Sequence, residues 1–153
     1  MAWLDAPPLD SVVRRTETEL SDRYVRAAVG RGTATRIAPG ASVATDAWRA
    51  LSASDRHAQR VWEAATRLSP GTVISHFAAA ALHGMQVLGP LPSHVEVTTE
   101  HPSGSSGRIR RHHRRLSHDD VMAWGDHFVT RPSRTAVDVA AATATDRRRR
   151  LRP

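Results

Sequence analysis

The sequence predicts an α+β fold, because some segments carry apolar residues at helical spacing and others alternate like strands, with no regular order between the two. Ser54–Leu68 has the three-and-four spacing of an amphipathic helix, and Val73–Gly84 contains a run of four alanines that favours a second one. Thr33–Val43 has the outline of a two-stranded hairpin, and Val95–Thr98 alternates as a single strand. Parallel βαβ units would alternate regularly, so a mixed arrangement is expected instead.

The first thirty residues indicate two short helices. Asp10 can cap a helix that carries Val12, Val13 and Leu20, and a second helix is expected over Ser21–Val29. In the second helix, Tyr24, Val25 and Ala28 fall on one side and the arginines on another. Gly30-Arg31-Gly32 then ends it.

A basic hairpin follows these helices. It is predicted from Thr33–Ile37, the turn Ala38-Pro39-Gly40 and Ala41–Val43. Two helices and a hairpin are typical of a winged-helix-like unit, in which the second helix approaches a DNA groove and the hairpin touches the backbone. The unit is expected to occupy residues 1–45, followed by a connector over Asp46–Ser54.

The second half, residues 46–142, is predicted to be a mixed α+β domain. Ser54 and Ser75 are expected to cap its first two helices, and Gly84 is a natural stop for the second. Residues 143–153 contain five arginines and are expected to form an irregular tail. The remaining predicted elements are a loop over His101–Gly107, strands over Arg108–His113, Val121–Trp124 and Phe128–Thr130, and a helix from Ser133 to Ala142.

The charge composition favours a polyanionic partner and excludes several reaction classes. The formal charge is +7, all 22 basic side chains are arginines, and there are no lysines or cysteines. Without lysine there is no phosphate-binding loop of the P-loop type, and without cysteine there is no thiol chemistry or thiolate metal site. We therefore expect no enzyme activity, no catalytic residue and no cofactor. The uncharged run Leu68–Val95 is interrupted by prolines, glycines and histidines, so it predicts buried core instead of a membrane span. The protein is expected to be cytoplasmic.

Several of these segments together resemble the AbiEi-like antitoxins of type IV, abortive-infection toxin–antitoxin systems. The resemblance runs from about residue 20 to 140. It rests on Leu20–Val43, on the Ser-His and His-Gly pairs within Val73–Gly84, on Val95–Thr98, and on Arg134–Ala140. Further matching positions are Arg111-His112, Leu116, Gly125 and Val129-Thr130.

The resemblance implies a winged-helix antitoxin domain, DNA binding and transcriptional regulation. The implied partners are promoter DNA of the protein's own operon and a nucleotidyltransferase-like toxin encoded nearby, with a possible homodimer and no membrane. Two alternatives stay open. One is the targeting half of a Vsr-like endonuclease fusion, and the other is an interaction protein that neutralises a toxin without touching DNA.

The candidate DNA contacts are arginines in two places. The first group lies on the expected second helix and the hairpin, and the second begins the basic strand, where neighbouring side chains point to opposite faces. Guanidinium groups match phosphate and guanine edges. The candidates are Arg23, Arg26, Arg31 and Arg36 in the first group, with Arg108, Arg110 and Arg111 in the second.

The motif residues are expected to be structural. His76 and His83 are seven apart, which on a helix separates them by roughly 10 Å along the axis. Two ligands that share a metal at about 2 Å each cannot be separated in this way, so no metal site is predicted. We expect Ser75 and His76 to serve the helix start, His83 and Gly84 its end, and Arg134, Thr135 and Asp138 to form scaffold, with an i,i+4 ion pair between Arg134 and Asp138.

Overall fold

A computed structural model describes residues 2–15 and 22–150, with side chains described as far as residue 145. Both helices and strands are present, so the predicted α+β class is confirmed. The helices are α1 (Asp22–Gly30), α2 (Thr45–Ala50), α3 (Ala53–Ala65), α4 (His76–Leu82) and α5 (Pro132–Arg150). The strands are β1 (Val13–Arg14), β2 (Ala34–Ala38), β3 (Ala41–Ala44), β4 (Val73–Ile74), β5 (Val95–Thr99), β6 (Gly104–Ser106), β7 (Ile109–His113), β8 (Val121–Trp124) and β9 (His127–Thr130).

The N-terminal unit is built on a three-stranded sheet with the order β1-β3-β2. The predicted hairpin is present as antiparallel β2 and β3, and Gly40 supplies the positive φ of 73° at its turn. The predicted helix from Asp10 is wrong, because Val13 and Arg14 pair with Ser42 and Ala41 as a strand. Leu20 and Ser21 lie outside the described residues.

The segment between the hairpin and α3 is helical. The expected connector over Asp46–Ser54 is therefore wrong at its start, where α2 carries the buried Trp48. Trp48 packs in a small core with apolar residues of the hairpin, Ile37 and Val43 among them. Burial of this large ring against the hairpin stabilises the short helix.

Helix α3 starts earlier than its predicted cap. The side chain of Ser52, not Ser54, accepts a hydrogen bond from the backbone N–H of Asp55, at 3.1 Å. The helix ends at Ala65, three residues before the predicted Leu68. Its apolar face contributes Val61 and Ala64 to the main core.

The main core lies against a six-stranded mixed sheet with the order β6-β7-β5-β4-β9-β8. β5 pairs parallel with β7 and antiparallel with β4, and β4 pairs parallel with β9. The predicted loop over His101–Gly107 contains the short edge strand β6, which pairs antiparallel with β7. The run Leu68–Val95 supplies buried residues such as Ile74 and Leu82 to this core. Within the described ranges, no helix has both the length and the apolar character needed to cross a membrane.

Helix α5 is longer than expected. It continues to Arg150, so residues 143–150 are helical where we expected an irregular tail. Residues 151–153 lie outside the described part.

Candidate nucleic-acid interface

Helix α1 projects from the N-terminal unit with no buried side chain along Asp22–Gly30. Arg23 and Arg26 are exposed, and so is Tyr24, with 58% of its surface accessible. A helix that leaves all its faces at least partly open contributes little to a core. A helix of only nine residues depends on contacts with its neighbours, chiefly those that it makes with β2.

Arg31 lies in the turn after α1 and is exposed to solvent. The backbone N–H of Gly32 donates to Val29 at 3.0 Å and that of Thr33 to Ala28 at 3.1 Å, which closes the last turn of the helix. Gly32 has a φ of 76°, which suits glycine at this position. Arg31 is therefore exposed at a well-defined corner between the helix and the hairpin.

Arg36 is exposed on β2, on the hairpin. It pairs with Ser42 on β3, and the register shifts between Arg36 and Ala38. Such an irregularity changes the direction of the strand and of its side chains. The next residue, Ile37, is buried with 3% of its surface accessible, so Arg36 lies on the open side.

The arginines of this first group have few partners in the part of the chain that the structure describes. Within residues 2–15 and 22–145, no carboxylate pairs with Arg23, Arg31 or Arg36. Arg26 donates from Nε to the backbone carbonyl of Asp22 at 3.2 Å, and the Asp22 carboxylate lies 3.2 Å from Arg15. Four exposed guanidinium groups are thus carried by one helix, the turn after it and the adjacent strand.

The second group of arginines does not form one surface. Arg110 and Arg111 are adjacent on β7 and therefore point to opposite faces of the sheet. Arg110 is exposed and Arg111 is half-buried. Arg108 precedes the strand, is exposed, and lies close enough to Arg60 of α3 to affect its protonation.

The Ser75-His76 pair lies at the start of α4, as predicted, but its side chains make different contacts from those expected. The Ser75 side chain makes no hydrogen bond to the start of α4; its Oγ accepts from Thr98 Oγ1 at 2.8 Å and lies 2.9 Å from His76 Nδ1. His76 has a φ of 52°, and its ring stacks on His112 with centroids 3.8 Å apart. Ser75 is thus the N-cap residue of α4, and its carbonyl accepts from the backbone N–H of Ala79 at 3.1 Å, while the two side chains join α4 to β5 and β7.

Glu96 lies beside these histidines and was not singled out from the sequence. Only 3% of its surface is accessible. Its carboxylate accepts from His112 Nε2 at 3.0 Å and from the backbone N–H of Phe77 at 3.1 Å, and His94 Nε2 lies 3.7 Å away. Burial alone would raise the pKa of Glu96, but the bond from His112, the nearby His76 and the Phe77 N–H together hold it below its ordinary value.

The other end of α4 is fixed as the sequence indicates. Gly84 has a φ of 66°, and His83 donates from Nε2 to the carbonyl of Thr130 at 2.7 Å. The same carbonyl accepts from the buried Thr135 Oγ1 at 2.9 Å. One backbone group of β9 thus ties α4 and α5 together.

The expected ion pair on α5 is present. Arg134 Nε lies 3.0 Å from Asp138 Oδ1, and Arg134 Nη1 also reaches Asp120 Oδ2 at 3.2 Å. The pKa of Asp120 is lowered, chiefly by the hydrogen bonds from Ser117 and also by the nearby Arg134. Desolvation acts in the opposite direction and is outweighed. Arg134, Thr135 and Asp138 thus connect α5 to the segment before β8.

In the part of the chain that the structure describes, no group of three or more histidines and carboxylates is arranged to hold a metal ion.

Comparison with protein-family models, with curated proteins and with solved structures found no match to this chain.

Proposed function

We propose that this protein is a DNA-binding antitoxin that also represses its own operon, as its resemblance to AbiEi-like proteins implies. The observation that carries the proposal is the exposed helix α1, which has no buried side chain, together with Arg31 and Arg36 after it, which pair with no carboxylate of residues 2–15 or 22–145. A solvent-facing basic helix beside a basic hairpin suits contact with a polyanion.

Helix α1 would approach the major groove. An α-helix with its side chains is about 10–12 Å in diameter and the groove is about 12 Å wide, so this nine-residue helix fits within it. Arg23 and Arg26 would contact bases or phosphates from the helix, while Arg31 and Arg36 would contact phosphates from the turn and the hairpin. Arg110 would add an exposed positive charge on β7. Arg111, on the opposite face of β7, would not contact the same phosphates as Arg110.

An electrophoretic mobility shift with promoter DNA of the operon tests this proposal. The protein should shift the DNA, and the Arg23→Ala/Arg26→Ala variant should bind several-fold more weakly. Arg131→Ala is the matched control, since Arg131 is also exposed but lies before α5. Equal affinity of the double variant and the native protein would remove α1 from the interface.

A second candidate function, toxin neutralisation by protein contact, is favoured by an apolar groove beside α5. The groove has a volume of about 570 Å³. Leu88 lies on it with 93% of its surface accessible. Isolated apolar side chains on a surface are ordinary, but a large one next to an apolar groove is typical of interaction sites. The groove is lined in part by Ala80, Met85, Val87, Ala136 and Val139.

A pull-down of the toxin encoded nearby tests this second function. Leu88→Ser should reduce capture of the toxin, because the leucine would otherwise be buried at the contact. Val137→Ser is the control: Val137 is also exposed, at 64%, but it does not line the groove. Capture that both variants retain in full would exclude the groove as the toxin contact.

A further inference from the structure

A second basic cluster lies where α2 and α3 meet. Arg56 and Arg60 are one turn apart on α3, and their guanidinium carbons lie 6.0 and 5.3 Å from the centroid of the Trp48 ring. Like charges at this helical spacing repel each other. The Trp48 ring partly offsets this repulsion through cation–π attraction.

Arg108 belongs to the same cluster. Its carbonyl accepts a hydrogen bond from the backbone N–H of Val95 at 2.7 Å, which places Arg108 beside the start of β5, the strand that α3 contacts. Burial lowers the pKa of Arg60, and repulsion from Arg108 and Arg56 lowers it further. Arg60 therefore faces positive charge from its own helix and from the sheet.

No acid in the described ranges balances these charges. Arg56 is held by carbonyl groups, with Nε 3.0 Å from the Trp48 oxygen and Nη2 2.9 Å from that of Arg49. Neither Arg60 nor Arg108 makes an ion pair with a carboxylate of residues 2–15 or 22–145. Asp55 and Glu63, the acids nearest in sequence on α3, are bound by Trp3 and Arg14.

Buried polar atoms without a hydrogen bond collect at the same place. Arg60 Nε is buried and has no partner among the described residues. Both ring nitrogens of His57 are also unbonded, and this side chain is completely buried. Buried polar groups are normally satisfied, so the unbonded Nε–H of Arg60, a donor that no carboxylate of the described ranges reaches, indicates a missing acceptor.

We propose that Arg60 and Arg108, with Arg56 beside them, form a binding site for a phosphate group. A guanidinium group donates in a planar fork that matches phosphate oxygens, and a doubly charged anion would offset the repulsion among Arg56, Arg60 and Arg108. The phosphate can belong to a nucleic-acid backbone or to a free phosphate compound. The site goes beyond the proposed function, because Arg56 and Arg60 lie outside the arginine set assigned to DNA.

Thermal melting in inorganic phosphate, compared with chloride at equal ionic strength, tests the site. A ligand that binds only the folded state raises the melting temperature, by an amount that grows with the logarithm of the ratio of its concentration to its Kd. The native protein should be stabilised by phosphate, and Arg60→Gln and Arg108→Gln should each bind it about tenfold more weakly. Arg67→Gln is the matched control, since Arg67 is exposed on the turn after α3 and outside the cluster. If Arg60→Gln does not fold, Arg108→Gln carries the test, because that side chain is exposed.

Equal stabilisation of all four proteins, or none of the native protein, would overturn the proposal. Repeating the comparison with a short DNA duplex identifies the source of the phosphate. A weaker response of Arg60→Gln to the duplex assigns the site to a nucleic-acid backbone, and a weaker response to inorganic phosphate alone assigns it to a free compound. A native protein that binds phosphate but no DNA would refute the proposed function and leave this site standing.

Discussion

Arg14 and Glu63 are joined by two hydrogen bonds, from Nε to Oε2 at 3.0 Å and from Nη2 to Oε1 at 2.7 Å. Arg14 lies on β1 and Glu63 on α3, so this forked pair connects the N-terminal sheet to the helix that packs on the main core. The Glu63 side chain is 1% accessible and that of Arg14 is 26% accessible. Gln59 adds a bond to Glu63 at 3.3 Å and accepts one from the backbone of Leu9 at 2.7 Å.

Removing the buried partner of this pair should destabilise the protein. Glu63→Ala leaves Arg14 and Gln59 without their shared acceptor, and hydrogen bonds to charged groups contribute about 1.5–3 kcal/mol. We expect a loss of about 2–3 kcal/mol in the free energy of unfolding, measured by urea denaturation. Glu100→Ala is the control, because Glu100 is exposed. A loss no larger than that of the control would contradict the connecting role.

Thr135 should matter through its hydroxyl group. Its Oγ1 donates to the Thr130 carbonyl at 2.9 Å and lies 2.7 Å from the Thr130 hydroxyl, and the side chain is completely buried. Thr135→Val keeps the shape but leaves the Thr130 hydroxyl without that partner, which should cost about 1–3 kcal/mol. Thermal unfolding measures this cost.

Thr143→Val on the same helix provides the comparison. Thr143 is exposed and its hydroxyl bonds only to the backbone of its own helix, at 2.9 Å from the Val139 oxygen. Its substitution should change stability by about 0.5 kcal/mol or less. Equal effects of the two substitutions would show that the link between α5 and β9 adds nothing.

His57 should make the protein less stable in mild acid. Burial, followed by repulsion from Arg60, lowers the pKa of His57 from 6.5 to about 4. The unfolded chain therefore binds one more proton than the folded protein between these two values, so stability falls as the pH falls from about 6.5 to about 4. In the middle of this window His57 should contribute a slope of about 1.4 kcal/mol per pH unit.

Urea denaturation from pH 7 to pH 4 measures this dependence. His57→Leu, which removes the titrating group and keeps a similar volume, should flatten the profile. His118→Leu, in which an exposed histidine is replaced, should keep the native slope. A His57→Leu profile as steep as that of the native protein would exclude His57 as the source.

Local patterns in the sequence predict much of this fold. The hairpin followed from the Gly40 turn between two short apolar runs, and α3 followed from its helical spacing of apolar residues. The ion pair between Arg134 and Asp138 followed from their separation of four residues. In each of these cases the determining contacts lie within about a dozen residues of one another.

Long-range contacts explain the wrong predictions. Val12 and Val13 fit the start of a helix locally, but Val13 pairs with Ser42 and Arg14 bonds to Glu63, forty-nine residues away. Tertiary pairing overrides a weak helical preference in so short a segment. Helix α2 was missed because Ala44 at its start offers no side-chain cap, so no local signal marks it.

The sequence also could not identify the cluster around Glu96. The alternation of Val95–Thr98 indicated one open face, where an acidic residue would be solvated. In the structure Glu96 is instead covered, with the start of α4 and His112 of β7 supplying its hydrogen bonds. The clustering of Arg56, Arg60 and Arg108 likewise depends on packing between elements far apart in the chain.

The salt dependence of DNA binding tests the central claim most directly, namely that the arginines of α1 and the hairpin contact a nucleic-acid backbone. Each phosphate neutralised contributes a slope of about −0.9 to the plot of log affinity against log salt concentration. Replacing Arg23, Arg26 and Arg36 by alanine should weaken binding to the operon promoter and make the slope shallower by about 2–3. An unchanged slope and affinity in this triple variant would contradict the claim.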